Sequence, residues 1–398
     1  MPAFILHHFP MLLWLLDHLA RTWPSVVWCG ELASLEKITF RASLAALASF
    51  VLALVLGPRL IAWLRVRFQE PIKSDSPQIR RLHGAKRATP TMGGLFVVGG
   101  LVAGVLAFGD MSNRYLQTAL VVAIGLAAVG AIDDLTKLRG TANGISAKSK
   151  LLGQLAVAGV AAMLVYRDHA GLADGLALRV PLVEGSFSLG WWFVPLAVIV
   201  IVGSSNAVNL TDGLDGLAGG CLIFAAAAMA AVAYASGHAE LAEYLHLPRL
   251  PGAGEMSVLG GAMIGGVLGL LWFNCHPAQV FMGDTGSLPL GGLLGLLAVV
   301  ARQELLLLLV GGVFVAEAAS VILQVGCYKW RRRRIFLCAP LHHHFQFLGW
   351  AESKIVVRFW IASALCAILG LATLKLGVRD DSPFPPVWAN RAETPMNP

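Results

Sequence analysis

Apolar stretches close to 20 residues long recur along the whole chain, separated by short segments that hold most of the charge. As a helix, a stretch of that length crosses about 30 Å of hydrocarbon with every backbone polar group paired internally. The stretches are continuous rather than alternating, which argues against a transmembrane β-barrel. Composition agrees, with 57% hydrophobic and 13% charged residues, about half the charged share of a soluble domain. A cytosolic enzyme and a disordered scaffold are thereby set aside. The six cysteines (Cys29, Cys221, Cys275, Cys327, Cys338, Cys366) stand singly with no C-x-x-C pair, so neither a disulfide frame nor a zinc site is indicated. The expected fold is an all-α polytopic integral membrane protein.

Ten spans are expected, at 43–64, 92–109, 115–132, 151–166, 191–209, 214–235, 256–273, 288–301, 305–328 and 356–377, the eighth being short enough to need residues from its flanks. Lys and Arg gather in alternate loops: Arg65, Arg67, Lys73, Arg80, Arg81, Lys86 and Arg87 after the first span, Lys137, Arg139, Lys148 and Lys150 after the third, Lys329 and Arg331 to Arg334 after the ninth. By the positive-inside rule that side is the cytoplasm and both termini are periplasmic. The formal charge of +7 then reflects membrane orientation and contact with anionic lipid or phosphate, not nucleic acid. Residues 1–42 read as an interfacial segment; with no Lys or Arg before Arg21, a cleaved signal peptide is not expected. Residues 43–378 form the ten-helix domain, and the polar, proline-rich tail 379–398 is expected to be disordered. Glycine pairs within spans (Gly99-Gly100, Gly265-Gly266, Gly291-Gly292, Gly311-Gly312) suggest close helix packing.

The polar residues that invite a chemical role collect on the basic side. Asp133 and Asp134 end the third span, where the helix dipole disfavours acids. They either pair with Lys137 at i+4 and i+3 or mark a site for a proton or a metal. Between the fifth and sixth spans come Asn206, Asn209, Asp212, Gly213, Leu214 and Asp215. The two acids can cap the sixth helix, whereas amide and carboxylate oxygens this close together also suit Mg²⁺ or a hydrogen-bonded nucleobase. After the seventh span, Asn274 and His276 precede Phe281-Met282-Gly283-Asp284-Thr285-Gly286-Ser287. Here an N-cap is the bland reading, and close backbone approach to a phosphate or metal is the other. Thr89-Pro90-Thr91-Met92-Gly93-Gly94 adds hydroxyl donors for phosphate, although anchoring alone accounts for the nearby charges. His342, His343 and His344 cannot all point one way, so they suit a diphosphate or acid-base role better than zinc. No Walker-type loop is present, which leaves an ATP-driven machine unsupported.

Taken together, Ile38-Thr39-Phe40-Arg41, Thr89 to Gly94, Asp133-Asp134, Asn206 to Gly216, Phe281 to Ser287 and Ala339-Pro340-Leu341-His342-His343-His344 closely resemble the phospho-N-acetylmuramoyl-pentapeptide transferases (MraY-type translocases). These belong to the polyprenyl-phosphate N-acetylhexosamine-1-phosphate transferases. The resemblance runs from about Met11 to Gly377, and the histidine motif separates this branch from the GlcNAc-1-phosphate branch; Ser76 and Ala88 stand where the family usually has glycine. It implies transfer of phospho-MurNAc-pentapeptide from UDP-MurNAc-pentapeptide to undecaprenyl phosphate, giving lipid I and UMP, with Mg²⁺, at the cytoplasmic face of the bacterial inner membrane, by a protein thought to dimerise. It also implies Asp284 as the Mg²⁺ ligand, with Asn209 a weaker candidate, and Asp133 as base or orienting group, assisted by Asp134. Thr91 and Gly283 fall within its substrate-contacting motifs, as does Asn206. Lys86, Asp212, Gly213, Leu214, Asp215, Asn274 and Phe281 match the nucleoside region, and Lys137, Lys148, His342 and His343 match the diphosphate or sugar region. Two routes are open, attack by an Asp to form a covalent phospho-enzyme and direct attack by the lipid phosphate; the direct route is favoured, because a phosphate monoester is already a nucleophile. Two rivals stand beside it: a UDP-GlcNAc-using relative, and a secondary transporter with intramembrane acids as proton relays.

Overall fold

The computed structural model describes residues 37–67, 89–138, 144–172, 174–181 and 185–376. Most of the N-terminal segment, the first basic loop with Lys86 and the proline-rich tail lie outside the described residues. In chain order the helices are α1 Ile38–Arg67, α2 Gly94–Phe108, α3 Arg114–Leu138 and α4 Ala147–His169, then α5 Phe193–Thr211, α6 Leu217–Gly237, α7 Ala239–Tyr244 and α8 Met256–Asn274. They continue with α9 Asp284–Val300, α10 Glu304–Val310, α11 Gly312–Arg331, α12 Leu341–Phe347 and α13 Glu352–Leu376. Two short antiparallel strands, β1 Ala177–Arg179 and β2 Ser186–Ser188, pair with Leu178 opposite Phe187.

Eight of these helices are long and apolar enough to cross a membrane, and α2 and α9 are shorter apolar helices. All ten expected spans coincide with helix. The eighth does take residues from its flank, since α9 opens at Asp284 rather than at 288. The ninth differs from expectation: it breaks at Gly311-Gly312 into α10 and α11, so that glycine pair marks an interruption rather than a packed crossing.

Position in the bundle explains the length of α9. Every residue from Asp284 to Val300 is buried, with α2, α3, α5 and α6 around it, so this helix need not match the thickness of a lipid layer. Small residues permit the close approaches. Gly261, Gly265 and Gly269 recur every fourth residue along α8 and face Ala42, Ala46 and Ala53 of α1, while neighbouring Gly266 meets Val97 of α2. The outer helices behave oppositely. Only 22% of the apolar window of α11 is buried, against 72% for α6, leaving Ile322, Leu323 and Val325 on the outside.

Polar groups segregate to the two ends. At one end Arg41 pairs with Glu255, and fully buried Arg302 pairs with Glu304 while its guanidinium lies over the Phe193 ring. At the other end meet the starts of α2, α4, α6, α9 and α13 and the ends of α3, α5 and α8, and the acids singled out from the sequence lie there.

Candidate active site

Two extended segments build the floor. Phe281 N–H donates to Pro90 O (2.9 Å), Gly93 N–H to Phe281 O (2.8 Å) and Gly94 N–H to Met282 O (2.8 Å), so the two glycine-containing motifs are zipped together along their backbones. Gly283 follows with φ 71° and ψ 174°, a conformation that favours glycine, and a Cβ there would press on Asp134, Thr91 and Met92. The turn starts α9 at Asp284. Asp134, at the end of α3, receives that N-terminus: Oδ1 accepts from Asp284 N–H (3.2 Å), and Oδ2 accepts from Thr285 N–H (2.9 Å) and Thr285 Oγ1 (2.7 Å). A carboxylate at the wrong end of its own helix thus sits at the favourable end of another.

Asp284 projects into a cluster. Its Oδ2 is 2.6 Å from Lys150 Nζ and 2.9 Å from Lys137 Nζ, and its Oδ1 accepts from Asn209 Nδ2 at 2.6 Å. Asn209 also donates to Ser287 Oγ (2.8 Å). Asp133 shares both lysines, at 3.0 Å from Lys137 and 3.4 Å from Lys150, and its Oδ1 accepts from Ile145 N–H at 2.8 Å. One oxygen from each of Asp133, Asp134 and Asp284 can be chosen within 4.8 Å of the others, and all three residues are buried. Three convergent carboxylates form a hard oxygen donor set that fits a divalent cation such as Mg²⁺. The two ammonium groups offset their mutual repulsion.

Above this cluster opens a cavity of about 280 Å³ lined by Thr91, Asp134, Lys137, Asn209, Asp212, Gly213, Leu214, Asp215, Asn274, Phe281, Gly283 and Asp284. The side formed by Asp215 and Asn274 is cross-braced. Asn274 Oδ1 accepts from Gly216 N–H (2.9 Å) while its Nδ2 donates to Val280 O (2.8 Å). Asp215 N–H donates to Glu352 Oε1 (2.9 Å), and Asp215 Oδ2 accepts from Ala278 N–H (3.1 Å) and lies 3.1 Å from His276 Nδ1. Burial, together with the nearby carboxylates of Asp284, Asp134 and Asp215, pushes the Asp212 carboxyl up to about 7, with Lys137 opposing.

Four residues expected in the site lie elsewhere. Asn206, one turn before the cavity, exchanges hydrogen bonds with Gln154 of α4 (3.0 and 3.3 Å) and bonds Val202 O. Lys148 is exposed. His342 is fully buried behind Gly213, and His343 Nδ1 is 2.8 Å from Gln346 Oε1, so neither lines the cavity. Lys150, Glu352 and Glu317 play parts that the motifs did not single out, whereas Thr285 and His276 stood in the loop read after the seventh span; Thr285 bonds Asp134 and His276 approaches Asp215. For Lys150 the signal was Gln154, a polar residue four places further on and therefore on the same helix face.

Residues 116–302 match the family model described as glycosyl transferase family 4. The chain is 48% identical over 357 residues to the phospho-N-acetylmuramoyl-pentapeptide-transferase of Solidesulfovibrio magneticus, covering 89% of this chain and 98% of that protein. It is 47% identical over 351 residues to the protein of that name from Maridesulfovibrio salexigens, covering 87% and 96%. For the one from Nitratidesulfovibrio vulgaris strain Hildenborough the identity is 49% over 343 residues, covering 85% and 94%.

Proposed function

The chain belongs to the phospho-N-acetylmuramoyl-pentapeptide transferases, and we propose that its cavity performs that transfer with a divalent metal, Mg²⁺, at the Asp133–Asp134–Asp284 cluster. The reaction joins UDP-MurNAc-pentapeptide and undecaprenyl phosphate to give lipid I and UMP, a membrane step of peptidoglycan synthesis. An oxygen of the lipid phosphate attacks the sugar-linked phosphorus of the donor, the bond to the bridging oxygen breaks, and UMP leaves. The observation that carries this reading is the meeting of three buried carboxylates and two lysines on the floor of one polar cavity.

Phosphoryl transfer needs alignment and charge neutralisation more than covalent machinery. When bound, the metal would supply Lewis-acid neutralisation of phosphate charge; Asp284 would be its principal ligand, with Asp133 and Asp134 completing the carboxylate set and Asn209, which donates to Asp284 Oδ1, a weaker candidate through its amide oxygen. Lys137 and Lys150 hold the diphosphate and stabilise charge on the departing UMP. Asp134 fixes the start of α9 and so the direction of Asp284. Asp133, held by Lys137 and by Ile145 N–H, orients the attacking phosphate. The uridine occupies the Asp212–Asp215 side, with the half-buried Phe281 ring free to stack on the base.

The acceptor tail has a path. An apolar cavity of about 300 Å³ runs between α5, α10 and α11, lined by Ile199, Val200, Ala207, Val208, Phe314 and Ala318 among others. Ala207 and Val208 immediately precede Asn209 of the polar cavity, so along α5 an apolar wall of about 13 Å leads to the metal cluster. A polyprenyl chain in that groove brings its phosphate to the site from the lipid side. The clustering of Lys and Arg in alternate loops supports a site on the cytoplasmic face of the inner membrane, in a protein of ten spanning helices with both termini periplasmic. A homodimer is the assembly that the family resemblance implies.

The test is UMP release by purified protein with undecaprenyl phosphate, Mg²⁺ and either UDP-MurNAc-pentapeptide or UDP-GlcNAc, beside Asp284→Asn. Metal-dependent release with the muramoyl donor alone, lost in the folded variant, is expected. Release with UDP-GlcNAc alone would move the chain to the other branch. Near-normal release by Asp284→Asn at any Mg²⁺ concentration would refute the metal assignment, and no release by folded wild-type protein would favour the transporter.

A further inference from the structure

His342 and Glu317 form a buried pair that no motif joined, because they stand 25 residues apart on α12 and α11. Both are fully buried. The His342 backbone N–H donates to Glu317 Oε1 at 3.1 Å, and His342 Nδ1 lies 3.3 Å from Glu317 Oε2. That 3.3 Å approach is a close contact rather than a formed hydrogen bond, so neither ring nitrogen is hydrogen-bonded among the described residues; the opposite one, Nε2, abuts Gly213, where any Cβ would overlap it. Gly213 itself lines the polar cavity, between Asp212 and Leu214.

A carboxylate buried in an apolar bundle is costly unless it is held by a donor or a cation. Here it accepts from the backbone N–H of His342, which sets the height of that residue, and its second oxygen packs against the ring, which sets the direction of the imidazole. The ring in turn backs the 212–215 loop at the only kind of residue that admits it. We propose that Glu317 is a positioning residue, acting through His342 on Gly213 to hold the loop that receives the uridine nucleotide. This rests on the nucleotide reading of the cavity given above. It assigns His342 to the back of the loop rather than to contact with the donor.

The discriminating variants are Glu317→Gln and Glu317→Asp in the full-length protein. The glutamine keeps the volume but loses the charge and one acceptor; the aspartate keeps the charge but loses a methylene. Two readouts are taken: UMP affinity by calorimetry, and initial rates with both substrates varied. The expected result for Glu317→Gln is an increase of about tenfold in UMP Kd and in donor KM, as for a buried hydrogen bond from His342 N–H whose acceptor loses its charge while the group facing the ring is no longer a carboxylate oxygen. The KM for undecaprenyl phosphate and the kcat at saturating donor stay near wild type, and Glu317→Asp falls between wild type and glutamine. An unchanged UMP Kd, a loss confined to kcat, or an aspartate variant worse than the glutamine would each overturn the proposal, the last because it is the mark of packing alone. If Glu317→Gln does not fold, Glu317→Asp must still weaken UMP binding, and wild-type affinity there overturns it. Wild-type protein that binds UMP without turnover would remove the proposed reaction while leaving this inference testable by affinity. Absence of UMP binding in the wild type would remove both.

Discussion

Lys150 Nζ lies 2.6 Å from Asp284 Oδ2 and 3.4 Å from Asp133 Oδ2, so the first turn of α4 bridges carboxylates contributed by α9 and α3. With Lys137 it neutralises a cluster that would otherwise hold three buried negative charges. Lys150→Met should therefore cost about 2 kcal/mol of stability, below the full value of a buried pair because the lysine is 18% exposed. Added Mg²⁺ should restore more of the melting temperature in the variant than in the wild type, since the cluster then lacks a competing cation. Melting curves with and without Mg²⁺ check this; identical metal shifts in the two proteins would count against the cluster as the metal site.

Phe281 lines the cavity and is the ring on which the proposed reading stacks the base; its backbone N–H is engaged with Pro90 O, so truncating the side chain leaves the floor intact. Phe281→Ala should raise the donor KM by about tenfold, the usual scale for losing one aromatic–base stack. The KM for undecaprenyl phosphate should not move. Initial rates with each substrate varied decide the matter, and an unchanged donor KM removes Phe281 from the uridine pocket.

The acids were legible because they break a rule. Asp133 and Asp134 sit at a helix end that repels them, and only a partner from another element makes sense of that; Asp284 supplies it by starting α9 against Asp134. The spans were legible from apolar length, apart from the break at Gly311-Gly312, where paired glycines read equally well as packing. Choosing between Lys148 and Lys150 was harder. Two residues apart on a helix, they project roughly 200° from each other, so only one can face the site. Which one is settled by tertiary contact: Gln154 of the same face bonds Asn206 on α5. The histidine run was least legible, since what orients His342 is Glu317, distant in sequence and inside an apolar helix.

Asp212 makes the protein's stability depend on pH. Its carboxyl titrates near 3.8 when unperturbed and at about 7 in the fold, raised by burial and by neighbouring acids. Between these values the folded protein keeps a proton that the unfolded chain has released. Stability from this group is therefore fully present below about pH 4 and is lost as pH rises towards 7. Thermal melting without added divalent metal should fall through that window, and Asp212→Asn should flatten the fall. An equally steep fall in the variant would assign the effect to another group.

Gly283 tests whether the turn before α9 sets the chemistry. With φ 71° and ψ 174° it occupies a region open in practice to glycine alone, and a Cβ would stand 2.8 Å from Asp134 Oδ2 and 2.9 Å from Thr91 Oγ1. Gly283→Ala must either rotate the turn or push Asp134 away from the α9 N-terminus, and both displace Asp284. The expected loss of stability is about 2 kcal/mol, on the scale of one strained backbone position. The expected loss of kcat is larger in effect, on the order of 100-fold, because displacing a reacting group by about 1 Å costs that much. Gly99→Ala is the control: its Cβ meets nothing within 4 Å, so the added methyl should leave turnover at wild type and stabilise α2 slightly. UMP release and melting temperature measured on both variants separate the two roles of glycine. Wild-type turnover in Gly283→Ala would mean that the position of Asp284 does not depend on this turn.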